Sequence, residues 1–246
     1  MHKGSIIFNG KNSKDLGIIV EEVPNLSRPQ RKFAEYSVPG RSGTIIEQYD
    51  AYENIDKSYN IWFTDYFYKN LYSPVKAREI AEWLYTSNGY MTLEDDFEPE
   101  YFRLAYFNGP LDIANLMQKY GKATINFNCR PERYLKSGEK WLNDPSVIKN
   151  PFAFSAKPLI KVEGQGNITV TIQGQTFVLT DITDYVYIDC ETMDCYRQET
   201  ENMNSHFSGD FPVLKPGDNS ISITTSSNNN SFGNSNIKIK PRFWTI

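Results

Sequence analysis

From Leu159 onward the sequence falls into short runs of alternating apolar and polar residues, a pattern with a period of two that fits a pleated strand and not a helix. The runs "LIKVEG", "NITVTI", "TFVLTDI", "DYVYIDC", "SISITT" and "IKIKPRFWTI" are separated by Gly, Asn, Asp and Pro, residues that turn a chain. Short strands so closely spaced predict a β-sandwich. Gln173-Gly174 predicts a hairpin between the second and third runs, and "KPGDN", Lys215 to Asn219, a turn into the fifth. The tract "TTSSNNNSFGNSN" is too polar to pack and is expected to be an exposed loop between the last two strands.

The first half is also strand-rich but less uniform. "SIIF", Ser5 to Phe8, is stopped by Asn9-Gly10, and "LGIIVEEV", Leu16 to Val23, and "TIIEQYDAY", Thr44 to Tyr52, read as further strands. "NIWF", Asn60 to Phe63, "YMTLEDD", "YFRLAYF" and "KATINFNCR" follow the same rule. In the last of these Ala123, Ile125 and Phe127 share one side and Thr124, Asn126 and Asn128 the other, and the strand is expected to end at Arg130-Pro131. One helix is predicted from Pro74 to Ser87, capped by Ser73 and stopped by Asn88-Gly89, with Ala77, Ile80, Ala81 and Leu84 as its buried stripe. Residues 137–155 mix Pro, Ser, Asn and Lys without a period, which predicts a linker between two domains.

The 246 residues suffice for either one large β-domain or two ordinary ones. A hydrophobic fraction of 39% with no long apolar run predicts a globular chain without a membrane span, and no secretory signal is visible at the start. The net charge of −4 argues against the basic footprint of a nucleic-acid binder. Cys129, Cys190 and Cys195 are odd in number and read as reduced thiols; with His2 and His206 they offer no metal-ligand spacing. Nothing predicts a metal or a cofactor. The same two histidines are the only imidazole bases, and no nucleophile accompanies them, so no catalytic residue is assigned. "EDDFEPE", Glu94 to Glu100, lacks the frame of a calcium loop and is read as a solvated hairpin tip. Of the tryptophans, Trp62 and Trp83 are expected in the core, Trp141 in the linker docking the domains, and Trp244 closing the second sandwich.

"SVPGRSGT", Ser37 to Thr44, has glycines able to present backbone N–H groups to an anion, but no helix start and no Lys-Ser or Lys-Thr follow. It is read as a structural turn.

"FNG" at Phe8, "VPGRSGT" at Val38, "GKATINFNCRPERYL" at Gly121, "NPFAFSAKPLIKVEGQGNITVTI" at Asn150, "GDFPVLKPGDNSI" at Gly209 and "IKPRFW" near the end resemble, in order and spacing, the distal tail protein family of siphophages that infect Gram-positive bacteria. The resemblance implies a mainly β chain: an N-terminal β-sandwich with one α-helix and a hairpin over residues 1–140, a linker at 141–155, and a galectin-like or carbohydrate-module-like β-sandwich over 156–246 that faces outward. It implies a structural hub of the tail tip, built in the host cytoplasm, that closes into a hexameric ring or a pair of such rings. Its implied partners are the major tail tube protein, a tail-associated lysin or tip protein, and a receptor-binding protein. Pro39, Gly40, Arg41, Ser42 and Gly43 then become the candidate subunit interface, with Arg41 as a donor fork held between turn glycines. The competing reading is a carbohydrate-binding accessory adhesin for host cell-wall saccharides.

Overall fold

The computed structural model describes residues 4–21, 27–64, 73–86, 88–111, 114–116, 120–198, 200–226 and 236–246. The chain is mainly β with one α-helix among the described residues, and divides into two compact units, residues 1–133 with Ile246, and residues 134–245. His2, the end of the "LGIIVEEV" run, the side chain of Ser73, and most of the Asn-rich tract lie outside the described residues.

In the first unit the strands are β1 (Ile6–Phe8), β2 (Lys11–Asn12), β3 (Ile18–Val20), β4 (Arg31–Ser37), β5 (Thr44–Tyr52), β6 (Ile55–Thr64), β7 (Met91–Asp95), β8 (Tyr101–Phe107), β9 (Ala114–Leu116) and β10 (Tyr120–Leu135). One sheet runs in the order β2-β1-β7-β8-β10-β6-β3, with β9 beside β10; among the described residues β4 and β5 pair only with each other. Asn9 and Gly10 take positive φ of 51° and 75°, so Asn9-Gly10 makes the tight turn between β1 and β2 that its chemistry demands. The helix α1 (Ser73–Tyr85) presents Ile80, Trp83 and Leu84 to a core shared with Phe8, Tyr59, Ile61, Ile125 and Phe127. Trp83 also donates its indole N–H to the carbonyl of Phe8 at 3.1 Å, so the residue that packs the helix also satisfies a strand. Gly89, at φ +77°, stands just beyond the helix, where the Asn-Gly stop was expected.

Two expectations are corrected here. β10 does not stop at Arg130-Pro131 but runs on to Leu135: its ladder with β6 ends at Cys129 opposite Ile55, so Pro131 needs no N–H for that neighbour. Trp62 is not in the buried core but half-buried on the opposite side of β6 from Tyr59 and Ile61, because it is out of step with them.

The second unit pairs two sheets. One contains β11 (Leu142–Asn143), β13 (Leu159–Glu163), β16 (Tyr185–Asp189), β17 (Asp194–Arg197), β18 (Glu201–Asn202) and β21 (Asn236–Lys240), in the order β11-β21-β13-β16-β17-β18; the other runs β12-β20-β14-β15-β19 through β12 (Val147–Asn150), β14 (Gly166–Ile172), β15 (Gln175–Ile182), β19 (Phe207–Gly209) and β20 (Gly217–Ser226). Ile160, Val162, Val186, Ile188 and Ile239 of the first meet Ile168, Val170, Phe177 and Leu179 of the second in one buried cluster. Gln173-Gly174, at φ 46° and 78°, closes the β14–β15 hairpin, and Gly217, at φ 85°, opens β20.

The stretch 141–155, read as a linker, is part of this unit. β12 pairs with β20, buries Ile148, and has Asn150 donating to the carbonyls of Phe154 and Leu214. Its strands are too short for a period to register, and side-chain hydrogen bonds to backbone replace apolar burial. Trp141 lies against Tyr187 and Lys240 of the same unit, with ring centroids 6.2 Å apart in the first case. Trp244 stacks on Phe154 at 4.6 Å and donates to the carbonyl of Ser155.

Gly209 lies opposite Phe177 with φ +119°, and a Cβ there would sit 2.8 Å from the carbonyl oxygen of Thr176. Gly209→Ala should therefore cost the second unit about 1–3 kcal/mol, read as a lower urea midpoint at unchanged slope.

Candidate functional site

The residues Pro39 to Gly43 form the tip of a two-stranded ribbon. Arg41 N–H donates to the carbonyl of Val38 at 3.2 Å, and Gly40 has φ +79°. Pro39 and Gly40 thus hold the second and third positions of a turn whose third residue requires positive φ, which is why proline and glycine stand in that order. Gly43, at φ +83°, returns the chain to β5. All five residues are exposed, and the Arg41 side chain makes no hydrogen bond or ion pair among the described residues.

Below the tip, β4 and β5 are held by Tyr36 opposite Ile45, Glu35 opposite Ile46, and Phe33 opposite Gln48. Residues directly opposite share a face, so Phe33 and Ile46 lie on one side and Tyr36 and Ile45 on the other. Tyr49 belongs with Tyr36, whose hydroxyl donates to Glu47 at 3.0 Å; that hydrogen bond, with the nearby Tyr49, raises the Tyr36 pKa. Phe33, Tyr36, Ile45, Ile46 and Tyr49 are 43–56% exposed. A lone two-stranded ribbon is marginal in water, and this one offers apolar side chains on both faces, with no third strand beside it among the described residues. The tip is legible in the sequence as a candidate interface, whereas these five residues are not. The signal was the pair Ile45-Ile46, adjacent positions that must point to opposite faces.

The ribbon is anchored where it joins the sheet. β5 ends at Tyr52 and β6 begins at Ile55, and two residues further Lys57 is buried, donating to Asp95 Oδ2 at 2.6 Å. Tyr59 donates to the same oxygen at 2.7 Å, while Asp95 Oδ1 accepts the N–H groups of Phe97 and Glu98 at 3.0 and 2.9 Å. Glu98 in turn pairs with Arg133. The acidic run is therefore not a solvated tip. Asp95 and Glu98 turn inward to meet cations, and Asp96 accepts from the Ser5 backbone and hydroxyl at 2.9 and 2.8 Å. A window of sequence shows the acids but not the lysine that arrives from another strand.

The three cysteines are free and buried, none beside a base: burial pushes Cys129 up to about 11 and Cys195 up to about 12, and raises Cys190 also. His206 Nδ1 lies 2.8 Å from the carbonyl of Thr180, a structural contact. No group of three metal-ligating side chains occurs among the described residues.

The chain has a solved structural counterpart. The crystal structure of the Dit protein of phage SPP1, presented as a paradigm of the hub adsorption apparatus in phages that infect Gram-positive bacteria, superposes with a TM-score of 0.74 over 99% of each chain, at 13% identity. The fold is Dit-like. No family model and no curated protein matches the sequence, so the likeness to Dit lies in the course of the backbone.

Burial raises the Asp95 pKa, but the Lys57 ammonium and the hydrogen bonds from Lys57, Tyr59 and the turn outweigh it, and the carboxyl titrates below its ordinary range. A depressed folded pKa contributes stability that is present above the unfolded value, about 4, and is lost as pH falls through the folded one. Asp95→Asn should cost about 3–5 kcal/mol at neutral pH by removing the closer of two carboxylates from buried Lys57, which keeps Glu98 at 3.8 Å, and should flatten the acid limb of a plot of melting temperature against pH.

Proposed function

We propose that this chain is the structural hub of a phage tail tip, a ring of identical subunits, six by the sequence resemblance, that joins the tail tube protein to the tip and host-recognition proteins. The observation that carries the reading is the ribbon, β4 and β5, with exposed apolar residues on both faces. Such an arm reaches a cover only on another molecule, and a closed ring gives every copy the same cover. The Dit-like fold over the whole chain supports the same reading. Pro39 to Gly43 then form the far end of the clasp, and Arg41 reaches a carboxylate or carbonyl of the neighbouring subunit. The particle's tail tip is its place, after assembly in the host cytoplasm.

The adhesin reading needs aromatic faces free to stack on sugar. In the second unit the rings are turned to one another: Tyr187 stacks on Tyr196 at 5.4 Å, Trp244 on Phe154, and Lys240 lies over Trp141 at 5.1 Å. This favours the hub.

Two experiments test it. Ile45→Lys with Ile46→Lys should abolish the ring mass in light scattering while circular dichroism stays native, since exposed positions rarely decide stability. Arg41→Glu should weaken the ring less. Ribbon variants that still assemble fully would refute the clasp. In a phage encoding this protein, deleting the gene should leave filled heads without tails, whereas tailed particles that merely fail to adsorb would favour the adhesin.

A further inference from the structure

The buried face of the first unit's sheet holds more positive charge than its own carboxylates neutralise. Lys57 lies 2.6 Å from Asp95 and 3.8 Å from Glu98, and Arg133 pairs with Glu98. Arg103, on β8, forms no ion pair among the described residues, although it is only 6% exposed. Its guanidinium donates from one terminal nitrogen to the carbonyl of Pro131 at 3.3 Å, and its buried Nε–H meets no acceptor. Lys57, Arg103 and Arg133 thus share Asp95 and Glu98, which leaves one positive charge over. Glu94 and Glu132 are next to Asp95 and Arg133 in sequence, so strand alternation turns them to the other face. The thiol of Cys129, near Arg103, is pushed up to about 11 by burial and stays neutral, so it supplies no counter-charge. A buried charge without a partner is costly, and a guanidinium cannot escape by losing its proton.

A cavity of about 10 Å³ lies against Arg103, walled also by Lys57, Tyr59, Asp95, Glu98 and Tyr101. That is room for one occupant about the size of a water molecule, and none for a phosphate or a sugar. The carboxylates in its wall are already spent. Asp95 is taken up by Lys57, Tyr59 and the turn, and Glu98 by Arg133. What remains unspent is the Arg103 donor and its charge, and a hydrogen bond from such a donor is strongest to an anion.

We propose that this cavity is a binding site for one monatomic anion, chloride under physiological conditions, held by Arg103 with the Lys57 ammonium as its second cation. The anion balances the charge of the buried cluster and gives Arg103 Nε its acceptor. It also stiffens the root of the ribbon, because Lys57 belongs to both. The inference needs only the folded chain and is independent of the ring reading.

The full chain is melted in sodium chloride and in sodium gluconate at equal ionic strength, gluconate being too large for the cavity. The chain should melt higher in chloride, by about 3–6 °C at ten times the half-saturating concentration. Bromide should replace chloride, and Arg103→Gln should remove the difference between halide and gluconate. Crystals grown with bromide should show an anomalous peak within hydrogen-bond reach of Arg103 Nε. That measurement needs no variant, so a misfolded Arg103→Gln leaves the test standing. Equal melting in chloride and gluconate overturns the proposal, and a bromide peak would then mark an adventitious ion only. A cavity that holds a water and no bromide also overturns it. So does a halide effect that persists in folded Arg103→Gln, which would place the anion elsewhere.

Discussion

The buried pair of Lys57 and Asp95 ties the strands of the first unit together at the root of the ribbon. One carboxylate collects a lysine and a tyrosine from β6 and two N–H groups from the turn after β7, so two strands and a turn share one node. The desolvation of both charges is offset only because every lone pair of the carboxylate is used. The ribbon leaves the sheet immediately before this node. A long lever is only as well aimed as its root, so the polar cluster at Lys57 governs where the exposed apolar residues of β4 and β5 are carried.

The two outer faces of the second unit illustrate how one sandwich can be chemically two-sided. On β13, β16, β17 and β21 the outward residues are Lys161, Glu163, Tyr185, Tyr187, Tyr196 and Lys238, tied across strands by ion pairs and ring contacts. On β14 and β15 they include Thr169, Thr171, Thr176 and Thr180. Cross-strand pairs of this kind stabilise a sheet by tenths to about one kcal/mol each. The rings of Tyr185, Tyr187 and Tyr196 are spent on this local adhesion.

What the sequence disclosed follows a physical rule. Elements with local causes were legible: Asn9-Gly10, Gln173-Gly174 and Pro39-Gly40 turn the chain because of their own backbone preferences, and the β-periodicity after Leu159 is set by burial on one face. Elements with distant causes were not. Asp95 looked solvated because Lys57 lies 38 positions away, and 141–155 looked loose because its order comes from pairing with β20 and β21. Trp62 was misplaced for a simpler reason, since bulk suggested core while alternation with Tyr59 and Ile61 put it outside. The ribbon fell between these cases. Its strands and turn were readable, but that no third strand joins it among the described residues is a property of the whole topology.

The docking proposed for the ribbon accounts for the form of the tip. An arm that docks on a neighbour loses conformational freedom when it does so, and each residue ordered on docking subtracts from the association free energy. Pro39 has a fixed φ, and Gly40 and Gly43 occupy left-handed conformations at no steric cost, so the turn is formed before any contact. Ladder bonds from Ser37 and Thr44 continue that order down the ribbon. The same economy accounts for the absence of a phosphate-binding frame around Arg41. In "SVPGRSGT" the glycines shape the backbone into a stiff hairpin end, and the arginine, exposed at its extremity, is the one group there with a charge to offer a neighbour.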